Sequence, residues 1–415
     1  MRSIAEVETA GAISSGWAEL ALAVGGFGIG TGEFAIMGLL PNVAGDLGVS
    51  VPGAGHVISA YALGVVIGAP LIAVLAARWA RHRLLLALMA FFAAGNFASA
   101  LAPGYASLMT VRFIAGLPHG AYFGVASLVA ASLVPAHQRA RAIGRMMLGL
   151  TSATLAGVPL ATWIGQTFGW RAAFVLVGAI GVVTCALIFR CVPPVAPMNG
   201  ASATRELSAL GRKQVWLTLG VGSVGFGGLF CALSYIAPTL TQVSGVPERY
   251  VPLALAVFGV GMILGNLIGS WLADRSLMRT IGGVLIWNVV VLCMFSVAVR
   301  HAWTATIAVL LVGTGVAIVP ALQIRLMDVA EDAQTLAAAL NHSAFNIANA
   351  LGAWLGGVAI AGGLGWASTG WVGALLAVGG LIIFAWSLKE ERGNLPSVAL
   401  VQSVGPRGKP RRLGL

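Results

Sequence analysis

The sequence predicts an all-α polytopic membrane protein, with twelve transmembrane helices in two pseudo-symmetric six-helix bundles. Three observations carry that prediction. Of 415 residues, 58% are hydrophobic and only 9% charged, with a mean hydropathy of +0.92, against about 25% charged in an ordinary soluble domain. Apolar runs recur from residue 18 to residue 388 instead of gathering in one place. The second half of the chain also repeats landmarks of the first at a fixed offset. Together these exclude a soluble fold, a single-anchor protein and a disordered chain, which needs low hydrophobicity.

A helix crossing the hydrocarbon core needs about 20 predominantly apolar residues. Runs of that kind lie near 18–40, 54–77, 84–103, 106–134, 143–166, 172–192, 215–239, 250–273, 280–299, 303–325, 335–361 and 367–388. They are unbroken, whereas a membrane β-barrel shows alternating segments of about 10 residues. The 56 glycines follow no Gly-X-Y period; glycine is simply commoner in transmembrane helices than in soluble ones.

Lys and Arg near helix ends stay on the cytoplasmic side. With the N-terminus inside, 20 of the 24 Lys and Arg fall in inner loops and tails, Arg171, Arg249 and Arg300 fall outside, and Arg112 lies within a span. The expected location is therefore the plasma membrane, a bacterial inner membrane, with both termini cytoplasmic. The net charge of +11 reads as a topology signal, and no nucleic-acid partner is expected. Before Trp17, Glu6 and Glu8 stand beside Arg2 without a short apolar core, so no cleavable signal is evident. Cys185, Cys191, Cys231 and Cys293 lie in or at the edge of spans with no CxxC, which suggests neither a disulfide framework nor a metal site.

The repeat organises the chain. Gly28, Gly30, Pro41, Tyr61, Gly64, Gly68, Leu75, Ala76, Arg78 and Gly116 fall, at an offset of 197, on Gly225, Gly227, Pro238, Phe258, Gly261, Gly265, Leu272, Ala273, Arg275 and Gly313. The expected units are an N-terminal bundle (1–192), a cytoplasmic connector (193–214), a C-terminal bundle (215–390) and a basic cytoplasmic tail (391–415). Parallel halves about the membrane normal, with a site at the midplane between them, are a transporter design that permits alternating access.

Particular stretches carry a family likeness. They are Gly30-Thr31-Gly32-Glu33-Phe34 running to Gly38-Leu39-Leu40-Pro41 in the first span, Arg112 with Gly116 and Gly120 in the fourth, and Gly149 to Gly157-Val158-Pro159 and Gly165, then Gly169-Trp170-Arg171, around the fifth. Ala344-Phe345-Asn346, Asn349, Gly352, Gly356 and Gly357 add the eleventh. Over roughly residues 16–390 the chain resembles the major facilitator superfamily, and within it the drug/proton antiporter group of arabinose-efflux-like and chloramphenicol-resistance-like permeases. That resemblance implies the major facilitator fold, a gating role for the basic loop after the second span (Arg78, Arg81) and for its second copy (Asp274, Arg275), and a kink at Gly157 and Pro159 that seals against proton leak. One departure stands out: Ala77 occupies the loop's acidic position and Ala80 its second glycine, while the second copy has Ser270 for glycine. The acid that helps clamp the first half of such proteins is thus missing.

An ionisable side chain at a span's centre costs at least about 2.5–3.5 kcal/mol, so it needs a partner or a role. Glu33 and Arg112 sit at similar depth, roughly 10–12 Å from the outer surface at 1.5 Å per residue, which makes pairing possible. Burial disfavours the carboxylate while a neighbouring cation favours it. Competition between a proton, Arg112 and a substrate would make Glu33 the coupling group; the alternative is a permanent ion pair or a backbone-bonded acid. Arg112, Gly116, His119 and Phe123 share a helix face, and His119 is either a proton relay or a neutral packing residue. His342, Asn346 and Asn349 form a polar stripe that either glues helices or lines a cavity, with Asn346 the better cavity candidate. Arg112, His119, Phe123 and Met37, one turn beyond Glu33, are expected to line the substrate cavity, and Thr151 and Thr154 are weaker cavity candidates because they can bond back to their own helix. Small-xxx-small pairs such as Gly64/Gly68 and Gly261/Gly265/Gly269 read as internal packing.

Gly220-x-Gly222-x-x-Gly225 matches a dinucleotide fingerprint but sits in an apolar span without a preceding strand. Walker, HExxH and GxSxG motifs are absent from the sequence, so no enzyme, cofactor or metal is expected. The leading expectation is a secondary active transporter, working as a monomer, that exchanges protons for a small molecule such as a drug or sugar moving outward. The alternatives are a facilitator or importer of a small metabolite, and a non-transporting membrane sensor whose basic tail binds lipid or a partner.

Overall fold

The computed structural model describes residues 4–75, 79–135, 139–194, 208–330 and 334–393. Twelve helices among them are long and apolar enough to cross a membrane: α1 (Gly16–Gly38), α2 (Val51–Ile72), α3 (Arg81–Ala100), α4 (Tyr105–Ser132), α5 (Ala142–Phe168), α6 (Trp170–Cys191), α7 (Lys213–Ser234), α8 (Glu248–Arg275), α9 (Leu277–Ala298), α10 (Ala302–Ala330), α11 (Leu340–Leu364) and α12 (Ser368–Glu391). Each predicted run finds its helix. Arg78, most of the connector and most of the tail lie outside the described residues.

Proline sets where the first helix of each half stops. Pro41 has no N–H to give and its ring collides with the carbonyl four residues back, so α1 ends at Gly38 and a short helix, Leu40–Leu47, begins after Leu39. Pro238 does the same in the second half, where Tyr235 turns the chain out of α7 into the helix Ile236–Gln242. Inside α5 the expected kink takes a specific form. Residues Ala153–Gly157 make a π-helical turn immediately before Pro159, one of the few ways a helix absorbs a missing donor without breaking. A second π turn, Val221–Gly225 in α7, falls on the false dinucleotide fingerprint.

The halves are bundles of the same design. A Cβ at Gly64 would collide with the carbonyl oxygen of Phe113, one at Gly68 with that of Leu117, and one at Gly116 with that of Tyr61. Add 197 to each number and the contacts recur: Gly261 on Leu310, Gly265 on Thr314 and Gly313 on Phe258. The repeat is thus one glycine-lined crossing built twice, α2 on α4 and α8 on α10. Outward-facing side chains such as Leu63, Ile67, Leu71, Leu264, Leu267 and Ile268 are apolar and exposed, a surface suited to lipid tails.

The bundle has two chemically distinct ends. One carries Arg81, Arg145, Lys213, Arg275 and Arg279, and is braced within each half by Arg145–Glu19 (2.5 Å), Lys213–Glu390 (2.8 Å) and Arg325–Glu391 (2.9 Å). At the other end Asp46 accepts hydrogen bonds from Trp170 (3.0 Å) and Arg171 (2.5 Å), and the Arg171 guanidinium lies 4.3 Å from the Trp170 ring centre. Hydrogen bonds from Arg171 first, then Trp170, hold the Asp46 carboxyl below the ordinary aspartate range.

Candidate functional site

Glu33 is 6% exposed on α1 and reaches across to the second half, where the Asn349 amide of α11 donates to its Oε1 at 3.2 Å. The neighbouring Phe34 also faces that way, its ring stacked on Phe230 of α7 at 6.3 Å and 18°. Asn346, one turn from Asn349, donates to the carbonyl of His342 in its own helix at 3.0 Å and leaves its buried Oδ1 without a protein partner. His342 in turn stacks on Phe123 of α4, 5.4 Å apart and 6° from parallel. The predicted stripe of α11 therefore does face the first half, and Asn349 rather than Asn346 contacts the carboxylate.

Arg112 is fully buried but looks elsewhere. Its Nη2 donates to the Gly32 carbonyl at 3.0 Å, and its guanidinium lies 4.1 Å from the Tyr61 ring centre and 5.0 Å from that of Phe174. All three neighbours belong to the first half. Among the described residues no ion pair joins Arg112 to Glu33; the permanent pair that the sequence left open is not formed here. The reason is local. The Gly32 carbonyl and the Tyr61 and Phe174 rings hold the guanidinium within the first half, while the Glu33 carboxylate turns to Asn349 in the second.

The other predicted residues divide. His119 Nδ1 lies 3.1 Å from the Tyr61 hydroxyl, and its ring is 5.4 Å from Phe123, so a continuous chain runs Arg112, Tyr61, His119, Phe123, His342. Thr154 donates to the Thr151 carbonyl at 2.8 Å, the self-bonding expected of a helical threonine. Its backbone forms part of the π turn that closes on Gly259 of α8. Gly157 packs on Thr31 and Phe27, Pro159 is half-buried, and Met37 is buried in the apolar core. Arg81 is half-buried, Asp274 and Arg275 are exposed, and the Arg275 guanidinium rests 3.3 Å from the Trp271 ring centre in its own helix.

Sequence reading did not single out Tyr61 as a site residue, nor Asn42, Gln166 and Glu248. Tyr61 aligned with Phe258 in the repeat, and its extra hydroxyl was the available signal. Glu248, at the start of α8, accepts from Asn42 at 2.9 Å through its carboxylate and from Gln166 at 3.1 Å through its backbone carbonyl. Beside it a cavity of about 330 Å³ is lined by Gly38, Pro41, Ala237 and Thr241 among others. The Ser59 hydroxyl donates to the Ala350 carbonyl at 3.1 Å. At the Asp46 end, then, the two halves are tied together by hydrogen bonds.

A family model described as Major Facilitator Superfamily matches residues 22–341 and 232–409. The chain belongs to the Major Facilitator Superfamily. It is 42% identical over 373 residues to the inner membrane transport protein YdhP of Escherichia coli (strain K12), covering 90% of this chain and 96% of that one. It is 32% identical over 375 residues to the chloramphenicol resistance protein of Streptomyces lividans, covering 88% and 94%. Its fold resembles the crystal structure of a bacterial homolog to the human lysosomal transporter Spinster in an inward-facing, unoccupied conformation, with a TM-score of 0.68 at 19% identity over 91% of this chain and 97% of that one. It is a multi-pass membrane transporter of small molecules.

Proposed function

We propose that this protein is a proton-coupled exporter, moving a small molecule outward in exchange for protons by rocking residues 16–192 against 215–390. The observation that carries the reading is the Glu33–Asn349 hydrogen bond, which joins a buried acid of one half to an amide of the other. An amide suits an acid that changes protonation. Its N–H donates to the carboxylate, and its carbonyl, here without a protein partner, can accept from the protonated form. Glu33 thereby has different company when the halves part, and an equilibrium shifts only when a ligand, here the proton, binds the two states unequally. Arg112 of α4, held on the carbonyl of the neighbouring Gly32, supplies a positive field.

The arginine-rich end is taken as cytoplasmic, which makes the Asp46 end external and the contacts around Glu248 an outer closure. The likeness to the chloramphenicol resistance protein supports a drug-like substrate. The test uses everted vesicles containing the full chain and an imposed pH gradient, with a panel of phenicols and cationic dyes. Substrate addition should dissipate the gradient in wild type and not in Glu33→Gln, whereas substrate exchange without a gradient should survive the substitution. Undiminished proton-driven uptake by Glu33→Gln would sink the proposal.

A further inference from the structure

We infer that the first half contains a built-in water site, at the level of Gly32 and away from the interface between the halves, formed by the guanidinium of Arg112 on α4 and the amide of Asn96 on α3. Both side chains are fully buried. Arg112 spends only one donor on protein, through Nη2 to Gly32, and its Nε and Nη1 have no protein partner. Asn96 donates through Nδ2 to the Phe92 carbonyl at 2.8 Å, and its Oδ1 has no protein partner either. The two meet at Gly32. Arg112 holds its carbonyl, and a Cβ on it would lie 3.5 Å from Asn96 Oδ1. The rings of Tyr61 and Phe174 wall the guanidinium and offer it no hydrogen-bond acceptor in line.

A buried polar atom left unpaired costs about 1–3 kcal/mol, and more when charged. Three such atoms, on two side chains that both approach Gly32, call for a ligand that accepts from Arg112 and donates to Asn96. Water does both, and buried waters characteristically make two to four such bonds. A halide would accept from Arg112 but meet the lone pairs of Asn96 Oδ1, whose orientation is fixed by the Nδ2 bond to Phe92. Asn96 is therefore a positioning residue, keeping the Arg112 guanidinium hydrated and in place through one or two waters. The site does not depend on the antiport reading.

The experiment is a structure of the full chain at a resolution that shows ordered water, with a second crystal grown in bromide. Density bridging Arg112 and Asn96 without anomalous signal is the expected result. A bromide peak there, or direct protein partners for Arg112 Nε and Nη1, overturns the inference. Asn96→Asp gives Arg112 an acceptor in place of water, so it should lose that density and keep or raise the melting temperature in detergent. Asn96→Leu should lower the melting temperature by about 2–4 °C. In radiolytic footprinting, Tyr61 of wild type should be modified faster than Tyr61 of Asn96→Asp; equal rates argue against bound water.

Discussion

Tyr61 shows how two parts of one side chain can be separated. Its ring face receives the Arg112 guanidinium, and its hydroxyl meets His119. A buried cation–π contact is worth about 2 kcal/mol or more, and a neutral hydrogen bond about 0.5–1.5 kcal/mol. Tyr61→Phe should therefore cost no more than about 1.5 kcal/mol of stability, and Tyr61→Leu clearly more, as read from thermal unfolding in detergent. Asp46 gives a prediction with a pH axis. Its carboxyl binds a proton less tightly when folded than when unfolded, so the stabilisation is whole above the ordinary aspartate value and fades as pH falls through the lowered one. Asp46→Asn should flatten the acid branch of the melting-temperature profile and leave melting less pH-dependent below neutrality; an unchanged acid branch counts against that account. At this scale the sequence was a partial guide. Scarcity of charge pointed to Glu33 and Arg112, but which side of α1 each would meet depends on the rotation of α1 against α4 and α11, and no single stretch of sequence encodes that.

The elements were far more legible, because their causes are local. Apolar runs long enough to span and prolines at 41, 159 and 238 account for the helices and for where they break. The small-residue pairs were readable as internal packing, and the matched contacts in the two halves bear that out. Less readable was the π turn in α7, which no proline marks. The glycine crossings make a sharp prediction. Gly68→Val and Gly265→Val each push a side chain into a backbone carbonyl, and overpacking of that kind costs about 1–3 kcal/mol or more. Gly283→Ala, on an open face of α9, should be neutral or slightly stabilising given alanine's better helix propensity. Monodisperse yield on size-exclusion chromatography separates these outcomes, and a normal yield for both valine variants would show that α2–α4 and α8–α10 can move apart.

For the molecule as a whole, the contacts around Glu248 tie the halves at one end. Replacing Asn42 and Glu248 by cysteine and oxidising the pair should hold that end shut, abolishing transport until a reductant is added; uninterrupted transport by the cross-linked form means this end need not open. The twofold plan was visible in the 197-residue offset, whereas the closure was not, since Asn42, Gln166 and Glu248 are 82 and 206 residues apart in their bonded pairs and none is distinctive alone. That closure has a practical consequence. It joins the halves through amide donors to one carboxylate and one backbone carbonyl, with no oppositely charged partner among the described residues. Salt screens attraction between full charges over about 10 Å at 0.1 M, and here there is little such attraction to screen. That end of the bundle should therefore open at much the same rate in fresh water as in brine.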